Sequence, residues 1–228
     1  MLKVGIIGMG IRGNLYAETI KYNPFAEVAA FAEGNKDRRK EAKSKYRVSA
    51  YQDFHKMLQE QDLDIVIIAL PDHLHKEAVL AVAEAGCHML IEKPLATSYE
   101  DAREMAAAVR KARVKALVGY ENRWSPVFIT AREAVEAGEL KDIQFVQAKL
   151  NDSIFVPTKM LGWASSSTVG WFLFPHTVDL TLWMTGVKAK RVHAVGQKRN
   201  LVGLGIDPYD SIAPTVELED GMAATVNS

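Results

Sequence analysis

From residue 2 to residue 119, short apolar, β-branched runs alternate with longer amphipathic stretches, the pattern of a parallel sheet covered by helices. The runs are Leu2–Ile7, Val28–Ala32, Ile65–Leu70, His88–Ile91 and Ala116–Gly119. Charges at helical spacing predict helices at about 12–22, 36–46, 53–60, 75–85 and 98–112 between them. After Tyr120 the alternation stops. A helix at about 124–137 is followed by a turn at Ala137-Gly138, a strand over Ile143–Leu150 and a polar stretch containing Ser165-Ser166-Ser167. An apolar helix at about 174–185 and strands at 190–196 and 212–219 complete the chain. The pattern predicts α/β architecture over 1–121, a doubly wound parallel sheet, and an α+β domain with an open, mostly antiparallel sheet over 122–228. Near the end, Val216 and Leu218 alternate with Glu217 and Glu219, and Asp220-Gly221 forms a hairpin turn. A sheet that stops at Ser228 leaves an unpaired edge, so the chain reads as truncated, or as needing another subunit to cover that edge.

Composition narrows the classes. Lys+Arg 28 against Asp+Glu 28 gives zero net charge, which offers no electrostatic footprint for nucleic acid or an anionic membrane surface. With 48% apolar and 25% charged residues, the chain matches ordinary globular protein rather than a disordered or fibrous one. The lone Cys87 can form no internal disulfide and reads as a buried small apolar residue, so a reducing cytoplasmic setting is expected. No apolar run reaches the length needed to span a bilayer, and the first residues carry no leader-like pattern. No His/Cys/carboxylate group has metal-ligand spacing, and no Gly-x-Ser-x-Gly elbow is present.

Candidate chemistry begins at the first turn. Gly8-Met9-Gly10-Ile11-Arg12-Gly13 fits G-x-G-x-x-G between a strand and a helix, the context of a dinucleotide-binding Rossmann turn. The glycines permit a tight turn, close approach of a pyrophosphate and close helix–sheet packing, while the helix N-terminus offers free amides to the phosphates. Glu33, 20 residues beyond Gly13 at the end of the second run, is placed to accept the hydroxyls of an adenosine ribose. A carboxylate there repels a 2′-phosphate and favours NAD. Lys36, Arg38 and Arg39 just downstream keep NADP as the alternative.

Four further segments occur in a telling order: Pro71-Asp72-His73-Leu74-His75, Glu92-Lys93-Pro94, Gly119-Tyr120-Glu121-Asn122-Arg123-Trp124 and His176-Thr177-Val178-Asp179. Together with the glycine turn they resemble the Gfo/Idh/MocA family of nicotinamide-dependent oxidoreductases, which act largely on sugars, inositols and their derivatives. The resemblance covers essentially the whole chain. It implies a cofactor crevice at Gly8, Gly10, Ile11, Arg12, Gly13, Glu33, Arg38, Leu70, Pro71, His75, Glu92, Lys93 and Asn122. It also implies a sugar or polyol substrate and a homodimer or homotetramer, and family members typically continue for about another hundred residues.

Physical reasoning supports the same residues. Ligands of open α/β sheets sit beyond the carboxyl ends of strands, where Pro71, Lys93 and Asn122 follow. At the nicotinamide end, Lys93 faces conditions that lower a lysine pKa and can hold the reacting hydroxyl. Glu92 is expected to pair with that lysine or to bind the nicotinamide ribose or carboxamide, and Pro94 makes a rigid turn, with a cis bond as one form of it. The resemblance puts His75 near the cofactor; the competing reading has it satisfy local backbone groups. Arg123 fits either a substrate edge or a structural ion pair.

One element departs from the family pattern. Many members carry an aspartate four residues before the active-site histidine, and here that position is Phe172. Asp179, three residues after His176, is the expected substitute, orienting the imidazole or binding substrate hydroxyls. His176 is then the general base and Lys93 the group polarising the oxygen. Trp163, Trp171 and Trp183 are candidate sugar-stacking platforms, with core packing as the alternative; Trp163 is the one assigned to substrate. The expected activity is hydride transfer between NAD(H) and a secondary alcohol carbon. A redox-neutral NAD-dependent glycosidase or lyase, and a catalytically silent NAD-binding protein, are the rivals.

Overall fold

The computed structural model describes residues 1–206 and 209–227. The chain divides into two compact units, Met1–Gly119 and Tyr120–Ser228.

The first unit alternates strand and helix throughout: β1 (Leu2–Ile7), α1 (Ile11–Ile20), β2 (Ala26–Ala32), α2 (Lys36–Tyr46), β3 (Ser49–Tyr51), α3 (Phe54–Glu60), β4 (Ile65–Ile68), α4 (His75–Glu84), β5 (His88–Ile91), α5 (Tyr99–Ala112) and β6 (Ala116–Val118). All six strands are parallel, in the order β3-β2-β1-β4-β5-β6. Because side chains alternate across a strand, each central strand feeds two cores. Ile6, Phe31 and Ile67 pack with Ala17 of α1 and Ala42 of α2 on one face. Ile7, Val66, Ile68 and Ile91 pack with residues of α3, α4 and α5 on the other. The order runs outward from β1 in both directions, so the crevice at the carboxyl ends of β1 and β4 is the topological switch point, where doubly wound sheets bind ligands.

β3 is an element that the apolar pattern did not announce, because three residues in a polar stretch leave no periodicity to read. Helix starts are set by caps. Asn35 accepts from the amides of Asp37 and Arg38 at the start of α2, and Ser98 accepts from Asp101 at the start of α5.

The second unit contains α6 (Pro126–Glu136), β7 (Phe145–Lys149), α7 (Val169–Thr185), β8 (Ala189–Gln197), β9 (Ser211–Leu218) and β10 (Ala223–Asn227). The strand order is β7-β10-β9-β8, with β7 and β10 parallel and the other pairs antiparallel. This corrects the expected edge: the returning strand β10 lies inside the sheet between β7 and β9, and the edges are β7 and β8. The hairpin turn forms where expected, with Gly221 at φ +89°. Val216, Leu218, Ala224 and Val226 are buried with Val178 and Leu182 of α7 packed against them.

The apolar helix also differs from its expected span, since α7 starts at Val169 and continues through Pro175. Thr168 caps it by accepting from the Trp171 amide at 3.3 Å. Proline lacks the N–H that would bond to the Trp171 carbonyl, and burial of Leu173, Thr177 and Thr181 on one stripe offsets that loss.

Candidate active site

The glycine turn follows from steric limits that can be checked atom by atom. Gly8 sits at φ +93°, and a Cβ there would lie 2.5 Å from the Ala69 carbonyl oxygen. A Cβ on Gly13 would lie 1.9 Å from the Gly8 carbonyl oxygen, so α1 approaches β1 as closely as two backbones can. Gly10 is different: nothing lies within 4 Å of its would-be Cβ. It is also the N-cap of α1, and no side chain caps the helix there. Amides at a positive helix end, facing open space beside a residue without a side chain, suit a pyrophosphate. Asn14, unmarked in the sequence reading, closes the turn by donating to the carbonyls of Met9 and Gly10 at 2.9 Å each.

Glu33 is 5% exposed at the end of β2. Its Oε2 accepts from the Met9 amide at 2.9 Å, and its Oε1 accepts from the Asn35 amide at 2.8 Å and from Arg38 at 3.0 Å. Burial pushes this carboxyl up, but Arg38 and the two amides outweigh it, leaving the group below the usual carboxylate range. The stability it contributes is therefore present at neutral pH and is lost as pH falls through its lowered folded-state value. Arg38 and Arg39 are both engaged locally, the second donating to the Glu33 carbonyl at 2.6 Å.

The turns after β4 and β5 are joined by a buried histidine. His75 is 0% exposed, with Nδ1 2.8 Å from the Pro94 carbonyl and Nε2 3.0 Å from the Leu70 carbonyl. The imidazole thus sits between the Leu70-Pro71 turn and the Lys93-Pro94 turn, donating its one N–H to one of the two carbonyls. The Lys93–Pro94 peptide is cis.

Glu92 is 4% exposed. Oε1 accepts from Arg12 Nε at 2.6 Å and from the Tyr16 hydroxyl at 2.6 Å, and Oε2 accepts from the Lys93 amide at 3.3 Å. The carboxylate thus ties α1 to the lysine-bearing turn. Burial, followed by the bond to Glu92, lifts the Tyr16 hydroxyl far above its ordinary value, so it stays a donor. Tyr16 went unnoticed in the sequence. Its i,i+4 spacing from Arg12 was the available signal, but the shared acceptor lies 76 residues away. Replacing Tyr16 by Phe is expected to lower the unfolding free energy by about 1.5–3 kcal/mol, the range for a hydrogen bond to a charged group, measured by urea titration.

In the second unit, Asn122 and Arg123 lie on a short 3-10 turn, Glu121–Trp124. Arg123 donates through two nitrogens to both oxygens of Asp179, with Nε to Oδ2 at 2.7 Å. Asp179 is therefore an ion-pair partner that fastens the turn to α7. Asn122 lies beside His176, with its Nδ2 3.4 Å from Nδ1. Trp163 and Phe172 meet edge to face with centroids 6.1 Å apart. Trp183 lies under Arg132, and Trp171 is 40% exposed. Among the described residues no group of three His, Cys, Asp or Glu is placed to hold a metal ion, and no helix is long and apolar enough to cross a membrane.

Two family models account for nearly all of the chain. Residues 2–120 match the oxidoreductase family's NAD-binding Rossmann fold, and residues 128–228 match the GFO/IDH/MocA C-terminal domain. The chain belongs to the GFO/IDH/MocA oxidoreductase family. Its first unit is an NAD-binding Rossmann domain, with an uncapped helix end and a buried acid suited to that cofactor. Among curated family members, myo-inositol 2-dehydrogenase of Thermotoga maritima is 28% identical over 86% of this chain. Levoglucosan dehydrogenase of Pseudarthrobacter phenanthrenivorans is 28% identical over 81%. The chain spans 58% and 51% of those two proteins. The fold matches the crystal structure of scyllo-inositol dehydrogenase from Lactobacillus casei with bound NAD(H) and scyllo-inositol, at a TM-score of 0.89 and 24% identity, over 100% of this chain and 69% of that one.

Proposed function

We propose that this protein is an NAD(H)-dependent dehydrogenase or reductase acting on a secondary alcohol or ketone carbon of a sugar, inositol or related polyol. The observation that carries the reading is the joint placement of the glycine turn, buried Glu33 and Lys93 at the carboxyl ends of β1, β2 and β5. The family relatives named as inositol and levoglucosan dehydrogenases support the substrate class.

When bound, NAD supplies the hydride acceptor or donor at its nicotinamide C4. The α1 amides hold the pyrophosphate, and Glu33 accepts the ribose hydroxyls. Lys93 polarises the reacting oxygen from a turn whose shape is fixed by His75 and Glu92, so little reorganisation is needed at the moment of reaction. His176 takes the hydroxyl proton at Nε2. That role requires the other proton on Nδ1, the nitrogen that lies beside Asn122.

The reading is tested by incubating the protein with NAD+ and a panel of sugars and inositols while following NADH absorbance and products. Net NADH with an oxidised sugar is expected, and His176→Ala should lower kcat by about 10²-fold or more. Cleaved glycoside without NADH would instead establish the redox-neutral rival, and cofactor binding without turnover of any substrate would establish the silent one.

The NAD preference has its own expected result. NADH should bind more tightly than NADPH, and Glu33→Ala, which removes a carboxylate and releases Arg38, should tighten NADPH by about tenfold or more relative to NADH, a shift of about 1.4 kcal/mol. Fluorescence titration checks this. Tighter NADPH binding by the unaltered protein would overturn the preference.

A further inference from the structure

The second unit encloses a cavity of about 630 Å³, within the range of small-molecule sites. Its walls come from the residues after β7, the start of α7, and residues 200–201 and 209–213. One wall includes a single π-helical turn, Val156–Met160, a local irregularity that frequently accompanies functional sites.

The polarity of the lining is divided. Asn151, Asp152 and Ser153 are exposed and polar, while the buried part of the lining is the aliphatic Val156, Leu173 and Leu201 with one hydroxyl, Ser167. Asp210 also lines the cavity, but its carboxylate accepts from the backbone amides of Arg199, Asn200 and Leu201 and is occupied in holding that segment. The Trp163–Phe172 pair makes an aromatic corner. On α7 the lining residues Val169, Phe172 and Leu173 share a face with His176 one turn further on, so the aromatic corner is the part of the lining next to the histidine.

A bare polyol carries a hydroxyl on almost every carbon, and with Ser167 the one hydroxyl among the buried lining residues named above, most of those placed against the aliphatic side chains would lack a partner. A sugar bearing an apolar substituent fits both ends: its ring C–H face against Trp163 and Phe172, its hydroxyls toward Asn151, Asp152 and Ser153, and its substituent on the aliphatic side chains. We infer that the substrate is a glycoside, or similarly substituted sugar, with an aryl or alkyl group, and that this cavity is where that group is recognised. For the reaction itself, this rests on the dehydrogenase reading above.

The test compares each free sugar with its phenyl glycoside, for glucose, galactose and xylose, in two arms. One arm measures kcat/KM with NAD+, and the other measures saturation-transfer NMR of the phenyl protons, which needs no turnover. The phenyl glycoside of the reactive sugar should be preferred at least tenfold. Ala213→Phe, an exposed position on β9 where a larger ring reaches the cavity without entering the core, should erase both the preference and the NMR signal. Turnover with equal use of free sugar and glycoside would overturn the inference and leave the dehydrogenase reading standing. Phenyl binding that is lost in Ala213→Phe, with no turnover, would support recognition of the aryl group by this cavity and overturn the assignment of the glycoside as substrate. Absence of phenyl binding in the unaltered protein would overturn the inference.

Discussion

Replacing Lys93 by Met is expected to lower kcat by about 10²–10⁴-fold, with a much smaller change in NADH affinity. Methionine keeps an unbranched chain of similar length and removes the ammonium, so the loss reports the charge and the proton rather than the shape. The turn is held by groups other than that ammonium as well. Its carbonyl at Pro94 faces buried His75, its amide at Lys93 donates to Glu92, and Glu92 is fixed by Arg12 and Tyr16. The comparison is made by single-turnover kinetics alongside NADH titration, with circular dichroism confirming the fold. A variant that retains its rate would remove Lys93 from the chemistry.

Gly13→Ala is expected to have the largest effect on the cofactor domain. The new methyl group would stand 1.9 Å from the Gly8 carbonyl oxygen, and the obstacle is main chain, which has no alternative rotamer. α1 must move off β1, at a cost of about 1–3 kcal/mol or more for overpacking, and its amides move with it. NADH affinity should fall by about 100-fold or more, equivalent to about 2.7 kcal/mol. Gly10→Ala is the informative partner, because nothing lies within 4 Å of its Cβ. It should leave the melting temperature unchanged and still weaken NADH by about tenfold, since the methyl group occupies the approach of the pyrophosphate. Equal melting temperatures for Gly13→Ala and the unaltered protein would contradict the close helix–strand contact.

The fold was legible where physics repeats along the chain. Strands β1, β4 and β5 are nearly continuous apolar runs because both faces are buried, and the glycine turn is legible because each glycine answers a separate steric demand. What was not legible depends on partners distant in sequence. Glu92 meets Arg12 across 80 residues, and Asp179 meets Arg123 across 56, so neither spacing nor periodicity could assign them. The three residues of β3 are too few to carry a period. The position of β10 inside its sheet follows from parallel pairing with β7, which no hairpin signal announces. α7 begins at Val169, earlier than the expected start at about 174, and runs through Pro175 because burial of one stripe offsets the hydrogen bond that proline removes.

A crystal structure of the protein soaked with NAD+ tests the central claim most directly. The pyrophosphate is expected on the first amides of α1 beside Gly10, the adenosine ribose hydroxyls on the Glu33 carboxylate, and the nicotinamide ring facing the Lys93 ammonium, with C4 about 3–4 Å from where a reacting carbon would sit. A dinucleotide bound in the opposite direction, or a nicotinamide ring turned away from Lys93, would contradict it.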